Sequence, residues 1–393
     1  MREKSRFAFV ASLVAALLVL LAPVGAQAFQ KANNPEITSA FVGGNADAVR
    51  EYWTANNGRN MLEAKELILA RYTPVLKQRS VSAAPTEPMF VQSGSTGGRF
   101  RAMVRSNTPQ KSLAQFEPLA GVFPFSFTRY RLFPNTEAQY KTYPYRTVGK
   151  LFFNIGTQRF VCSASVVTSF NTSVVWTAGH CVFSPDLGVF HTNFLFVPAQ
   201  RRVGLTPTSP YGDWTAFTAV ILTLWTQGLF EYDHGVLVMN RNTTTGQTVG
   251  ETVGMLGFMA NAPRQQHWHL HGYPQGAHAP PSVDPQFTGF HHEICAAAWA
   301  TNDQPTGKPG VDPPTIGVGC DQTGGTSGGP WIVDLNSLAV SASGGAPVAL
   351  NLLNGNNSYR YSGPAPNSQR LFGPYFGPGA NVLRQFAENI DIP

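Results

Sequence analysis

The chain has 393 residues, a formal net charge of +6, 43% hydrophobic and 13% charged residues, and 38 glycines with 30 prolines. That apolar content with so little charge excludes a mostly disordered chain, and the Gly/Pro load excludes a helical bundle or coiled coil. The basic residues are scattered without a Lys/Arg-rich run, which argues against nucleic-acid binding and leaves a β-dominated globular protein long enough for two cores.

At the N-terminus, Arg2, Lys4 and Arg6 precede an apolar stretch at 7–21, and Ala26-Gln27-Ala28 offers the small residues that a signal peptidase reads. The stretch is shorter than the ~20 residues a membrane span needs. The expectation is a signal peptide at 1–28, export, and no membrane attachment after cleavage. Residues 29–146 hold one helical pattern at 59–72, with Met61, Leu62, Ile68, Leu69 and Tyr72 set against Glu63, Lys65 and Glu66. A Ser/Pro/Gly-rich linker follows at 80–98. This region has no cysteine and no catalytic-looking cluster, and it reads as a propeptide or N-terminal extension.

From Thr147 the texture changes to short β segments at 148–155, 160–169, 173–177, 194–198, 216–224, 236–240 and 252–258. Residues 261–319 and 344–379 read as loops because of their Pro, His, Gly and Asn content. Val382, Leu383, Phe386 and Ile390 have helix spacing, so a C-terminal helix over 381–390 should dock on the β body. The expected domain is 147–393.

The four cysteines, Cys162, Cys181, Cys295 and Cys320, suit two disulfides in an exported protein, with three connectivities open. The local pairings Cys162–Cys181 and Cys295–Cys320 are preferred, and each would stabilise by about 3 kcal/mol in the chain-entropy view. A zinc site would want Cys-x-x-Cys or His-x₃-His spacing, which is absent. His267, His269 and His271 alternate, so a strand would place all three on one face. Solvated histidines are the plainer reading, and neither metal nor cofactor is expected. Asn171-Thr172-Ser173, Asn242-Thr243-Thr244 and Asn356-Asn357-Ser358 are glycosylation sequons.

Three local patterns carry chemistry: Trp176-Thr177-Ala178-Gly179-His180-Cys181, Tyr232-Asp233-His234-Gly235, and Gly324-Gly325-Thr326-Ser327-Gly328-Gly329. A serine hydroxyl is a poor nucleophile at neutral pH. It needs an imidazole to take its proton and a carboxylate to hold that imidazole in the right tautomer. The glycines let the backbone N–H groups of Gly325 and Ser327 face one point, where an oxyanion can be stabilised. Asp213 is a rival acid in a turn-like context, and Asp233 is preferred. An α/β-hydrolase would need the order Ser, acid, His, opposite to the order here. A module that only binds would have no need to keep all three groups together.

Together these motifs resemble the chymotrypsin/trypsin-like serine endopeptidase family, including its bacterial glutamyl-endopeptidase branch. The resemblance runs from about Thr147 to Pro393. It implies an all-β fold of two packed Greek-key β-barrels with a C-terminal helix and the triad in the cleft between them. It implies His180 as general base, Asp233 as its orienting acid and Ser327 as nucleophile. It also fits a Cys162–Cys181 staple beside the histidine. Thr326 stands where animal trypsins have the acid that captures a new N-terminal amine, so that activation switch is not expected. Asp321, six residues before Ser327, has the offset of a trypsin pocket base that would favour Lys or Arg, but Cys320 beside it departs from the family and a surface or loop-capping Asp is the plainer reading. Ser343 and Gly344 are candidate pocket residues. The strand assigned there has no histidine, which counts against glutamate specificity. The resulting expectation is a secreted zymogen, a monomer acting on protein or peptide substrates.

Overall fold

The computed structural model describes residues 36–67, 89–91, 125–132, 139–203, 206–275, 287–305, 313–336, 350–361 and 367–393. The signal segment 1–28, most of the 80–98 linker, and Ser343 and Gly344 lie outside them. In chain order the first half contains β1 (Ile37–Phe41), α1 (Ala46–Glu63), β2 (Lys65–Glu66), β3 (Met89–Val91), β4 (Thr128–Arg131), β5 (Val148–Ile155), β6 (Gln158–Val166) and β7 (Val174–Thr177). It continues with β8 (Phe183–Ser184), β9 (Val189–Phe190), β10 (Thr192–Pro198), β11 (Arg201–Val203), β12 (Thr206–Thr208), β13 (Trp214–Leu222) and β14 (Gly235–Met239). The second half holds α2 (Val249–Val253), β15 (Gly257–Ala260), β16 (His267–Gly272), β17 (Glu293–Asp303), β18 (Thr315–Gly319), β19 (Pro330–Val333), β20 (Leu352–Asn356), β21 (Arg370–Gly373) and α3 (Pro378–Glu388). No helix among the described residues is long and apolar enough to cross a membrane.

The first barrel closes because β13 is long and bends. Its start pairs with β10, and from Ala216 onward it pairs with β14, completing the ring β13-β10-β5-β6-β7-β14. Inward-facing Leu151, Phe153, Ala164, Val175, Phe196, Ile221 and Leu237 fill it, as the period-2 alternation of strands requires. In the second barrel β16 is flanked by β17 and β19, β18 links β17 to β21, and β20 pairs with β19. A bridge between Tyr359 and Phe372 joins the chain after β20 to β21 and closes that ring. Trp268, Leu270, Ile316, Val318 and Trp331 form its interior. A third cluster seals the barrels together under α3: Trp176, Val236, Leu256, Phe258, Ile332, Leu353, Phe376 and Leu383. The expected all-β double barrel with a C-terminal helix is therefore the observed architecture.

Several local expectations are corrected. Of the helix expected at 59–72, residues 68–72 lie outside the described residues, and over the rest the helix runs instead over Ala46–Glu63, with Ala55–Gly58 out of helical φ/ψ and Lys65–Glu66 in a strand. Asn45 caps it by accepting from the Ala48 amide, and its inward residue is Trp53. The segment 252–258 divides into α2 and β15, because Thr248 and Glu251 form a capping box that starts a helical turn. The supposed loops at 261–319 and 344–379 contain β16, β17, β18, β20 and β21. Glycine, histidine and proline there mark close approach and turns between strands, not absence of strands.

The region before Thr147 is built into both barrels. β1 extends the sheet along β13, burying Ile37 and Ala40. Trp53, fully buried, packs with Phe152, Val161, Leu195 and Val197 on the outer face of the first barrel, and its indole N–H donates to the Asn193 carbonyl at 2.6 Å. β4 pairs with β17 in the second. Trp53→Ala should destabilise the full chain by about 3–5 kcal/mol, measured by denaturant unfolding, because the barrel face beneath would be left uncovered.

Besides His180, four histidines are buried as neutral side chains among the described residues. His191 stacks on Phe153, with ring centroids 4.9 Å apart, and its Nε2 donates to the His180 carbonyl. His234 sits against Trp176 and Phe376, turned into the core away from its neighbour Asp233. His271 and His292 share one hydrogen bond, Nδ1 to Nε2, at 2.8 Å. Burial lowers the pKa of His191 and of His234 to about 4 and of His292 to about 3, and holds His271 well below 6.5. The unfolded chain takes up these protons first, so stability is full above pH 6.5 and falls as pH drops from there toward 4. At pH 5 each histidine kept neutral should remove about 2 kcal/mol, and together they would rival the ~5–15 kcal/mol of a typical domain. A melting temperature that stays flat from pH 7 to 4.5 would contradict this burial.

Candidate active site

His180 lies in a 3₁₀ turn, Gly179–Cys181, directly after β7. The Cys162–Cys181 disulfide ties that turn to β6, and Cys295–Cys320 ties β17 to the loop after β18. Asp233 follows another 3₁₀ turn, Phe230–Tyr232, and precedes β14, which pairs with β7. That pairing brings the two residues together. Asp233 Oδ2 lies 2.8 Å from His180 Nδ1, and Oδ1 accepts from the His180 amide at 2.7 Å. A carboxylate can only accept here, so Nδ1 carries the proton and Nε2 presents its lone pair.

Ser358, which the sequence had offered only as part of a sequon, donates its hydroxyl to Asp233 Oδ2. Asn356 donates to the Asp233 carbonyl at 3.2 Å and accepts from the Trp176 indole. Both side chains are buried, so this sequon does not present its asparagine to solvent. The other two asparagine amides are likewise engaged, Asn171 with the Ala387 and Ile390 carbonyls and Asn242 with the Asp213 carbonyl. Burial pushes the Asp233 carboxyl up, but the charge and N–H groups of His180 and the Ser358 hydroxyl outweigh it and hold it below the usual carboxylate range. The rival Asp213 is occupied elsewhere, 2.8 Å from Arg50 of α1.

Ser327 sits in the turn between β18 and β19. Its carbonyl accepts from the Ser163 amide at 2.7 Å, and Gly328 abuts Thr177 and Ala178, just ahead of His180. Gly325 (φ +87°) and Gly328 (φ +79°) take left-handed conformations that bring the loop back on itself. Neither the Gly325 nor the Ser327 amide donates to a backbone carbonyl among the described residues. His180 Nε2 likewise has no hydrogen-bond partner among them, so the Ser327–His180 bond is not made in this structure. Such bonds commonly tighten only when substrate binds.

A polar lock holds the loop from behind. Thr326 donates to Gln322 Oε1, and the Asn357 amide nitrogen lies 2.8 Å from Thr326 Oγ1 and 3.0 Å from its carbonyl. Gln322 in turn donates to the Leu270 and Glu293 carbonyls at 3.1 Å. All three side chains are buried. Sequence reasoning noted that Thr326 could not bind an N-terminal amine, but Gln322 and Asn357 carry no motif that marks them as its partners.

The remaining candidates fall differently. Asp321 Oδ2 lies 3.4 Å from Arg129 Nε, so a cation from β4 already faces the carboxylate suggested for substrate. The chain reaching Ser358 is β20, downstream of 341–345, and Ser343 and Gly344 are outside the described residues. His267 and His269 lie side by side on β16, while His271 is buried against His292. Two clusters have metal-like donor spacing, Cys162/His180/Cys181 and Cys295/Cys320/Asp321, but their thiols are consumed in disulfides.

No protein-family profile matches the chain, and no curated protein does. Solved structures do. A thermostable serine protease from an extremophilic microorganism is 32% identical, covering 63% of this chain and 98% of its own, with a TM-score of 0.50. The protease Anisep from Arthrobacter nicotinovorans is 34% identical, covering 62% and 96%, with a TM-score of 0.49. A Glu endopeptidase solved in complex with MPD is 15% identical, covering 67% and 97%, with a TM-score of 0.47.

Asn357→Ala should loosen the lock without touching any reacting group. The expected result is a fall in kcat of about 10²-fold with KM changed less than threefold, the signature of a misplaced oxyanion donor. Equal kcat for variant and wild type would remove the lock from catalysis.

Proposed function

The chain belongs to the trypsin/chymotrypsin-like serine protease family and is a peptide hydrolase, and on that premise we propose that it is a secreted endopeptidase working through His180, Asp233 and Ser327. The observation that carries this reading is the His180–Asp233 pair, which leaves Nε2 as the basic atom beside the serine loop. In the proposed reaction Nε2 takes the Ser327 proton while Oγ attacks the scissile carbonyl carbon. The oxyanion is met by the amides of Gly325 and Ser327. The imidazolium, balanced by Asp233, gives its proton to the leaving amine, and water then hydrolyses the acyl-enzyme by the same steps in reverse.

The remainder of the proposal concerns maturation. Residues 1–28 serve as the export signal, 29–146 as a pro-region, and 147–393 as the catalytic unit. Two disulfides suit an oxidising destination. The pro-region reading draws support from where β2 lies. It runs parallel to Phe160 and Val161 of β6, the Ala64 carbonyl accepts from Gln275 at 2.8 Å, and the Glu66 carboxylate packs on Gly324 beside the proposed oxyanion donor. A segment in that position fills the approach to the nucleophile. The strand pairing of β1 and the burial of Trp53 would keep residues 36–63 docked after a cut downstream, without holding β2 in place.

Ser327→Ala should lower turnover by about 10⁶-fold with an unchanged unfolding curve, and should abolish labelling by a peptidyl phosphonate. Retained activity would sink the assignment. N-terminal sequencing of protein from the culture medium should find a new terminus at about residues 99–135. Full activity with residue 29 as the sole terminus would rule out a pro-region.

A further inference from the structure

A cavity of about 50 Å³ lies on the seam between the barrels, and no triad side chain lines it. The first barrel contributes Gln200, Arg201 and Arg202, and the second contributes Tyr273, His291 and His292. It has room for about three or four ordered waters, or for one tetrahedral oxyanion.

Two polar atoms of these walls are buried without a partner among the described residues, Tyr273 Oη and His292 Nδ1. Leaving such groups unsatisfied costs about 1–3 kcal/mol each, so an occupant is the expected remedy. The groups are donors. The Tyr273 hydroxyl donates, and burial holds it protonated far up the pH scale. His292 shares its Nε2 with His271 Nδ1, and when His271 donates there, His292 carries its proton on Nδ1. The Gln200 amide makes do with the Met61 thioether at 3.4 Å, a weak acceptor.

The charge in the walls has one sign. Arg202 lies 4.3 Å over the Phe290 ring, a contact that holds its guanidinium plane without neutralising it, and Arg201 lies 5.0 Å over Tyr140. No carboxylate is among the lining residues, and Arg202 has no ion pair among the described residues. Buried Lys150 sits 5.1 Å over the same Phe290 ring. An oxyanion accepts from the Tyr273 hydroxyl, the His292 N–H and a guanidinium together.

We propose that this cavity binds one small inorganic oxyanion, phosphate or sulfate, held by Arg202, Tyr273 Oη and His292 Nδ1–H. The anion would pin the first barrel to the second directly behind the serine loop. Tyr273 donates its amide to Ser163 Oγ at 3.0 Å, and that hydroxyl donates to the Gly325 carbonyl at 2.9 Å.

The test is thermal unfolding of the full chain carrying Ser327→Ala, which prevents self-digestion. It is titrated with sodium phosphate and separately with sodium sulfate, each against sodium chloride at matched ionic strength. We expect a saturable rise in Tm of several degrees at millimolar phosphate, sulfate or both, the anion that saturates being the ligand. Tyr273→Phe should be at least as stable without the anion, since it removes an unpartnered hydroxyl. It should lose most of the anion response, and Arg202→Gln should do the same. General stabilisation by these salts grows without saturating and is shared by the variants. A response that only follows ionic strength, or one retained in both variants, overturns the proposal.

Discussion

A carboxylate with no exposed surface decides how the two barrels meet. Asp233 would be very costly to bury charged and alone. Its partners come from three places: the amide and ring of His180 beside β7, the Ser358 hydroxyl beyond β20, and, through its own carbonyl, Asn356. The amide and ring of His180 hold the carboxylate within the first barrel. Ser358 and Asn356 belong to the second, so a shift of one barrel against the other would remove the Ser358 hydrogen bond from the charge and the Asn356 bond from its carbonyl. The same bonds orient the imidazole. The element that stabilises the interface and the element that prepares the base are one network, rooted beneath Trp176 and the apolar seam under α3.

The serine loop obeys a related constraint. It must turn tightly enough to leave two amides free, and free buried amides are unfavourable unless the turn is held by other means. Here the holding comes from Thr326, Gln322 and Asn357, side chains inside the folded body. A newly cut terminus has no counterpart in that arrangement. β2 runs past the same loop, with Glu66 packed on Gly324. The loop is thus held from the second barrel and contacted from the region before Thr147.

The first barrel was largely legible in the sequence. Its strands are apolar and β-branched, and the expected 148–155 coincides with β5. Others differ by one to three residues, as at Leu222, after which the chain enters a 3₁₀ turn. The second barrel was much less legible. β16 reads His-Trp-His-Leu-His-Gly, β18 is Thr-Ile-Gly-Val-Gly, and β20 is Leu-Leu-Asn-Gly-Asn. Polar and glycine positions in these strands face partners or pack closely, and composition alone mistakes them for loop. The site divides along the same line. His180, Asp233 and Ser327 stood out because each lies in a short, distinctive motif. Ser358, Asn356, Gln322 and Asn357 did not, since an Asn-Asn-Ser run and a lone glutamine carry no local signal of what they will touch.

By itself, then, the sequence determined the class of fold and the order of the three chemical groups, and it left the cysteine pairing as a preference among three that the folded chain decided. These depend on alternation, spacing and residue chemistry, all of which are local. Only the tertiary structure decided which acid faces His180, what holds the serine loop, and that Asp321 already has Arg129 beside it. It also decided that residues 36–66 lie along the first barrel and not apart from it. Asp233 lies 53 residues from His180 and Asn357 lies 31 from Thr326, and Asp213 stood closer to His180 in sequence than the acid that faces it. Chain closure settles such contests, and separation along the sequence does not.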